Sequence, residues 1–339
     1  MANLRANKIV GIGSTDAGVV FDGDVKINSQ GVMYFPKGDT SQRGRGRGVF
    51  GGGIHSPNPS TTAMQYIQIQ TTGSAVDFGS LTAARSDISG SGNGTRGVLS
   101  GGYNPAASDV IDYVTIATTA NAIDFGNLTQ ARGTSVGCVS SSTRGISGWG
   151  GYTGSNVNTI DYITIATTGN ATDFGDATFT SRNTGQGSSP TRGVRGGGYT
   201  STSVNQIDYL TIATTGNSAD FGDLTQIRYG DGGVSSNTRC IWGGGYTYSP
   251  NANTNTMDYV TIATTGNAAD FGDLISIRTG TSALGNSIRG TWFGGYSPTW
   301  VNIIDYVTIA TIANASDFGD GVNTVRNAGP ISDSHGGLS

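Results

Sequence analysis

Hydrophobic side chains in this chain occur in short runs that recur at a regular interval, and the clearest run covers residues 160–166. In an extended chain, Ile160 and Tyr162 fall on one side of this run, while Ile163 and Ile165 fall on the other. A strand that is apolar on both faces has to be covered on both faces. The pattern therefore predicts strands sandwiched between neighbouring sheets.

This run belongs to a repeat that occurs six times. Each copy carries an Asp-Phe pair, and successive pairs lie 47, 49, 47, 50 and 47 residues apart. Repeats of about 40–50 residues are typical of propeller blades and solenoid units. Glu is absent while Thr, Ile, Val and Tyr are common, which excludes a helical unit and favours a four-stranded blade. The six aspartates are Asp77, Asp124, Asp173, Asp220, Asp270 and Asp317.

The third copy shows how the strands of a blade are expected to follow one another. Residues 134–140 are predicted to form a first strand and residues 144–151 a glycine-rich second strand. The run at 160–166 is the third strand. A short fourth strand begins at Asp173 and ends near a closing arginine, Arg182.

The ends of the repeat region predict how the ring closes. The region opens at Arg47 with a second strand, and residues 327–333 look like a first strand with no second strand after it. The two incomplete ends make one blade. The predicted fold is therefore an all-β, six-bladed propeller over residues 45–339, closed by 327–333, so that no edge strand is left free.

Residues 1–44 do not carry the repeat and read as short extended pieces. About 40 residues cannot build a self-sufficient core, so this arm is expected to pair with the propeller or with another chain. Strand addition is one way in which such an arm docks. The candidate docking residues are Leu4, Val20, Phe21, Val25, Tyr34 and Phe35.

Composition removes several classes of function. Only 12% of residues are charged, the formal net charge is −4, and 56 residues are Gly. We expect Cys138 and Cys240 to be buried thiols, and we expect no metal and no cofactor. An Arg-Gly tract ends at Arg47, but it is short and lies in an acidic chain, so no nucleic-acid partner is expected. No apolar run is long enough to span a membrane, and no secretory signal is recognisable, so synthesis in a cytoplasm is expected.

Residues that recur in every copy are interpreted as scaffold. An aspartate precedes the third-strand Tyr in five copies, and we expect it to bind turn backbone or a neighbouring arginine such as Arg96 or Arg132. With two His, no Glu and no unrepeated acid cluster, no catalytic residue is predicted. The five aspartates are Asp112, Asp161, Asp208, Asp258 and Asp305.

The variable part of the repeat lies between the second and third strands. From the residue after the paired glycine to the third-strand Asp, or Gln65 in the first copy, the separation is 11, 9, 9, 9, 12 and 9 residues. In an up-and-down blade these loops emerge on one face. They carry aromatic and Asn side chains suited to recognition, although simple loop tolerance would also produce the variation. The candidate binding residues are His55, Asn58, Asn104, Tyr248, Asn251 and Trp300.

The repeat resembles the kelch repeat in five features. These are the paired glycine that ends the second strand, a third-strand Tyr, a Thr-Gly-Asn turn, an aromatic four residues beyond that Asn, and a closing Arg. It departs from the usual kelch pattern by placing Phe where Trp is typical. The resemblance covers about residues 45–339 and implies the propeller fold, but no particular activity. The six phenylalanines are Phe78, Phe125, Phe174, Phe221, Phe271 and Phe318.

The near-identical blades, low charge and N-terminal arm also resemble kelch-like virion proteins of tailed bacteriophages, particularly those of aquatic bacteria. This resemblance implies a non-enzymatic virion surface protein, either a tail fibre or adhesin component or a capsid decoration. Its partners would be other virion proteins, bound through residues 1–44, and a host surface glycan or receptor. A cellular or secreted kelch-type lectin or interaction module is the alternative, and neighbouring genes for capsid or tail proteins would argue against it. An enzyme acting on polysaccharide is a third hypothesis.

Overall fold

The computed structural model describes residues 46–55, 60–133 and 139–338, and these form an all-β, six-bladed propeller. Residues Arg45–Ser339 belong to one compact unit. The one helical element in the described ranges is a 3-10 turn at Gly336–Leu338. The predicted docking arm, residues 1–44, lies outside the described residues.

Each blade is an antiparallel sheet in which the first strand lies nearest the axis and the fourth is outermost. The second strands are Arg47–Gly51, Arg96–Ser100, Arg144–Tyr152, Arg192–Gly196, Arg239–Gly243 and Arg289–Phe293. The third strands are Ala63–Gln68, Val110–Thr115, Asn156–Thr164, Val204–Thr211, Thr256–Thr261 and Ile303–Thr308. The fourth strands are Val76–Ser80, Ile123–Asn127, Thr172–Asp176, Ala219–Arg228, Ala269–Asp273 and Ser316–Asp320.

The first strands are buried along their length and consist mainly of Gly and Ser, because they crowd around the axis. The described ones are Ser89–Gly92, Gly185–Ser188, Gly232–Ser235, Ser282–Gly285 and Gly329–Ser332. In the third blade, residues 134–138 of the predicted first strand are not described. The Val139 carbonyl there accepts a 2.9 Å hydrogen bond from the Ile146 amide, which places Val139 beside the second strand.

The first blade is completed by the far end of the chain. Gly329–Ser332 pairs antiparallel with Arg47–Gly51, with Val49 opposite Ile331. The predicted closure of the ring by this strand is therefore present. A second strand pair links the two ends of the ring, because Ile54–His55 pairs antiparallel with Val325–Arg326.

The hydrophobic core lies between adjacent blades, as the doubly apolar third strand predicts. Ile163 and Ile165 of the third blade pack with Val98, Ile111 and Phe125 of the second, and all five side chains are buried. Each fully buried side chain of this kind contributes about 1.5–3 kcal/mol of stability. Six such layers close the ring without a central core.

The Asp-Phe-Gly triplet is scaffold, as expected. Phe125 is buried and lies edge-on to Tyr113, with ring centroids 6.0 Å apart. Gly126 has φ +148°, and a Cβ there would lie 2.4 Å from the carbonyl oxygen of Gly169, in the turn of the next blade. The amide of Gly169 donates to the Phe125 carbonyl at 2.8 Å, so the turn and the triplet fasten neighbouring blades together.

Five buried ion pairs bind the third-strand aspartates, and four of them join the end of one blade to the third strand of the next. Arg85 Nη2 lies 2.9 Å from Asp112 Oδ2, and Thr82 donates to the same carboxylate through both its amide and its hydroxyl. The expected pair with Arg132 is present, since that guanidinium lies 2.7 Å from Asp161. The five pairs are Arg85–Asp112, Arg132–Asp161, Arg195–Asp208, Arg228–Asp258 and Arg278–Asp305.

The expectation that Arg96 pairs with an aspartate is wrong. Arg96 begins a second strand at the opposite end from the buried carboxylate of Asp112. Its guanidinium lies over the Tyr113 ring, 4.4 Å from the centroid, and donates to the carbonyls of Ile165 and Ala166 in the next blade. Arg96 thus connects the second and third blades through its hydrogen bonds.

The seam between the sixth and first blades lacks an ion pair at this position. Gln65 replaces the aspartate, and its Oε1 accepts a 2.7 Å hydrogen bond from the Val322 amide. Val325, which is buried, occupies the position of the arginine. Both charges of the pair are absent together, as expected because one buried charge without its partner is costly.

The last described residues cover one end of the axis. His335 is buried, and its Nε2 lies 3.0 Å from both Ser140 Oγ and the Gly92 carbonyl. The Gly337 amide donates to His335 Nδ1 at 3.1 Å, which assigns the ring proton to Nε2. Burial lowers the pKa of His335 to about 4, so the ring is neutral at pH 7.

Candidate functional site

A cavity of about 310 Å³ lies at the opposite end of the axis, where the chain crosses from blade to blade. We call it the axial cavity. Its walls come from the blade crossings and from residues that directly follow the paired glycines, so it opens on the face that carries the variable loops. Its lining residues are Ile54, Asp87, Tyr103, Gly133, Tyr152, Arg182, Asn183, Tyr229, Arg326 and Asn327.

Two arginines reach the axial cavity because of a one-residue shift in the repeat. In four copies the closing arginine lies eight residues after the Asp of Asp-Phe, as Arg85 lies after Asp77. In the other two copies the separation is nine residues, and the arginines are Arg182 and Arg326. The eighth position is then taken by Ser181 or Val325, both buried. The shift turns a blade-joining arginine into a cavity-lining one. The two crossings concerned are three blades apart, so the arginines approach from opposite sides.

Aromatic rings hold both guanidinium groups. Arg182 lies 4.5 Å from the ring centroid of Tyr152 and 4.8 Å from that of Tyr199. Arg326 lies 4.7 Å from the Trp300 ring. Neither arginine has a carboxylate within 4.0 Å among the described residues, whereas the five arginines of the buried ion pairs all do. Stacking orients a guanidinium and leaves its edge available for an anion.

The loss of Arg182 from the blade interface is compensated within the fourth blade. Arg195 on the second strand supplies the guanidinium that binds Asp208, at 2.8 Å. The equivalent second-strand position holds Phe50, Leu99 and Trp242 in other blades. The buried aspartate therefore keeps its partner although the closing arginine has moved.

Four backbone hydrogen bonds in series form the described part of the floor of the axial cavity. The amide of Asp87 donates to the Asn327 carbonyl, Asn327 to Gly280, Gly280 to Gly230, and Gly230 to Asn183, over 2.7–3.0 Å. All five residues are left-handed, with φ between +55° and +70°. Asn, Asp and Gly tolerate this conformation best, which accounts for the residue types at these positions.

Asp87 is the one acid among the described lining residues. Its Oδ1 accepts from Asn327 Nδ2 and its Oδ2 from Ser86 Oγ, both at 2.8 Å. Burial raises the pKa of Asp87, while its hydrogen bonds and the charges of Arg326 and Arg182 oppose that increase. The described lining of the cavity therefore holds two guanidinium groups and one carboxyl group.

A cluster of four tyrosines borders the axial cavity. The Tyr248 ring stacks on that of Tyr229, with centroids 5.8 Å apart, and lies 5.5 Å from Tyr199. Tyr246 is edge-on to Tyr229 at 5.6 Å. Burial, followed by the proximity of Tyr248, raises the pKa of Tyr229 to about 12. Its hydroxyl consequently remains protonated at physiological pH.

A second depression of about 590 Å³ adjoins the axial cavity. Tyr229 and Arg326 line both, so the two form one recessed surface. Asn251 and Asn253, from the longest of the variable loops, contribute amides to the second depression. The recessed surface can bind a ligand larger than either depression alone.

The predicted binding residues fall in different places. His55 is held by a 2.8 Å contact between its Nδ1 and the Thr324 carbonyl, and Asn104 donates to the Ala84 carbonyl at 3.0 Å. Neither lines a described cavity. Asn58 lies outside the described residues, as do the docking residues Leu4, Val20, Phe21, Val25, Tyr34 and Phe35.

The other three predicted residues lie on or beside the recessed surface. Asn251 lines the second depression, Tyr248 is 42% exposed within the tyrosine cluster, and Trp300 supports Arg326. Sequence reasoning missed Asp87, Arg182, Arg326 and the other residues of the blade crossings. The spacing of eight or nine residues from Asp-Phe to the closing arginine was the signal that could have identified the two arginines.

The axial cavity is lined by hydrogen-bonding groups. Its described lining residues supply guanidinium, amide and phenol groups and one carboxyl group, and no His or pair of acids is among them. Within the described residues, no group of three or more His, Cys or acidic side chains could hold a metal ion. Cys240 is a free, buried thiol, as expected, and Cys138 lies outside the described residues.

Comparison with protein-family models and with curated proteins finds no match to this chain. The kelch-like and bacteriophage resemblances therefore stay predictions, and the fold stands on its own geometry. The structure contains no helix, in the ranges it describes, with the length and apolarity needed to cross a membrane.

Proposed function

We propose that this chain is a non-enzymatic surface protein of a bacteriophage virion, a tail fibre or adhesin component or a capsid decoration, which uses its propeller to recognise a host surface glycan or receptor. It would be made in the host cytoplasm and then incorporated into particles. Its N-terminal arm, residues 1–44, would dock on other virion proteins.

The recessed surface is the observation that carries the recognition role. The variable loops, the tyrosine cluster and both cavity-lining arginines lie on one face. Tyrosine and asparagine are the residue types that binding loops favour, because they offer contact area and hydrogen bonds at low entropic cost. Rigid blades beneath these loops keep the surface preorganised for binding.

The virion setting is supported by the repeat and by the arm. The repeat resembles that of kelch-like virion proteins, and residues 1–44, whose sequence predicts short extended pieces, would suit strand addition on a neighbouring protein. Attachment through residues 1–44 would leave the propeller available for recognition.

Incorporation into particles tests the proposal. A chain lacking residues 1–44 should fold as a propeller but be absent from purified particles, as measured by mass spectrometry. The matched control is Tyr248→Ala in the full chain, which should be incorporated normally and lose adsorption to host cells. Normal incorporation of the truncated chain would rule out the docking role, and normal adsorption by the Tyr248 variant would argue against recognition through this face.

A further inference from the structure

We propose that the axial cavity binds one acidic sugar unit, whose carboxylate is bound by Arg182 and Arg326. The inference rests on the proposed recognition function for its biological meaning, but the binding itself is a property of the purified chain. The occupant we infer is a uronic-acid-type residue of a longer surface glycan.

The first step is charge. Arg182 and Arg326 line one cavity and have no ion pair among the described residues, while Asp87 supplies the one opposing charge. Arg326 Nε is buried and makes no hydrogen bond in the described part of the chain. A buried donor without a partner is costly, so a bound anion would stabilise this group. The surplus positive charge selects a ligand with a negative one.

The second step is geometry. Tyr152 and Tyr199 contact Arg182, and Trp300 contacts Arg326, so each guanidinium is fixed in orientation before a ligand arrives. A planar guanidinium pairs with a carboxylate through two parallel N–H···O bonds. Because the two arginines approach from opposite sides, a carboxylate at the centre of the cavity can be reached from either side.

The third step is the body of the ligand. Tyr103, Tyr152, Tyr229 and Asn183 line the cavity, and phenol and amide groups such as theirs bind ring hydroxyls. The volume of about 310 Å³ is at the small end of ligand pockets and suits one sugar ring. The adjoining depression of about 590 Å³ gives room for the units that follow in the glycan.

Replacing Asp87 tests whether electrostatic attraction drives binding of the acidic sugar. Asn takes the same left-handed conformation at the equivalent positions Asn183 and Asn327. An Asp87→Asn side chain can keep the bond from Asn327 with its oxygen and donate to Ser86 Oγ with its nitrogen. The variant removes the opposing charge and preserves the floor, so it should bind an acidic sugar more tightly than the unaltered chain.

The experiment is titration of the full chain with glucuronate, glucose, acetate and inorganic phosphate, followed by ligand-observed NMR. Glucuronate should bind, and the other three should bind at least about tenfold more weakly. Arg182→Gln and Arg326→Gln should each weaken glucuronate binding by about 10- to 100-fold, as expected for loss of a charge-assisted hydrogen bond. The matched control is Arg96→Gln, which removes a Tyr-stacked arginine away from the cavity and should bind as the unaltered chain does.

Four results would overturn the proposal: no binding of glucuronate, glucose or phosphate binding as tightly as glucuronate, unchanged binding by both arginine variants, or weaker binding by Asp87→Asn with its fold intact by circular dichroism. These results are independent of particle incorporation. A chain that binds glucuronate but is absent from virions would reject the proposed function alone, and a virion protein that binds no acidic sugar would reject this inference alone.

Discussion

Replacing Arg85 by Val should destabilise the propeller far more than replacing Arg85 and Asp112 together by Val and Gln. The single change leaves the Asp112 carboxylate buried, with only the amide and hydroxyl of Thr82 as partners. The double change copies the charge-free arrangement that the chain already has at its seam, where Val325 and Gln65 occupy the two positions and the Val322 amide donates to Gln65 Oε1.

The magnitude follows from the burial of both side chains, which are 2% and 0% exposed. Removing one member of a buried ion pair costs about 3–5 kcal/mol, whereas neutral replacement of both members is often tolerated. Arg85→Val also loses the bonds to the Val110 and Leu99 carbonyls, which the double variant does not restore. We therefore expect a coupling free energy of about 2–4 kcal/mol between the two positions.

The assay is a double-mutant cycle from equilibrium urea denaturation of the unaltered chain, the two single variants and the double variant. The urea concentration at the unfolding midpoint should be higher for the double variant than for Arg85→Val. If the two changes were additive within about 0.5 kcal/mol, the reasoning that these pairs are electrostatically coupled joints between blades would be refuted.

Three further predictions concern the same scaffold. Burial raises the pKa of Asp231 to about 7, so its protonated form stabilises the fold at low pH and this contribution is lost as pH rises to 7; Asp231→Asn should match the unaltered chain at pH 4 and be up to about 4 kcal/mol more stable at pH 8, by urea denaturation. His335 has the opposite pH dependence, because burial lowers its pKa to about 4 and the stability that it contributes is lost as pH falls from about 6.5 to 4. A His335→Gln variant should not show that loss when the free energy of unfolding is compared at pH 7.5 and 4.5. Gly126→Ala would place a methyl group 2.4 Å from the Gly169 carbonyl and should lower the thermal midpoint, whereas Gly169→Ala, with nothing within 4 Å of its Cβ, should do so less.

Most of the scaffold could be predicted because the same strand pattern recurs in six copies of the repeat. Apolar side chains on both faces of residues 160–166 indicated stacked sheets, and the incomplete ends indicated closure by the last strand. The first pattern lies within one strand, and the second comes from comparing each end of the repeat region with a complete copy of the repeat. The sequence predicted that the third-strand aspartates bind arginines, but not which ones. Arg85 could not be distinguished from Arg96 without knowing which end of each strand lies near the buried carboxylate.

The axial cavity could not be predicted in the same way. Its walls come from crossings separated by about one blade each, and it exists only when the ring closes. Asp87 and Asn183 are ordinary turn residues when read locally. The arginine shift at Arg182 and Arg326 is visible in the sequence, yet its meaning depends on Ser181 and Val325 taking the buried positions.

Electron cryomicroscopy of purified particles tests the proposed virion role most directly. The proposal predicts six-bladed density on the tail or capsid surface, attached through residues 1–44, with the axial cavity and Tyr248 facing outward. Particles without this propeller, or with that face buried against another virion protein, would contradict it.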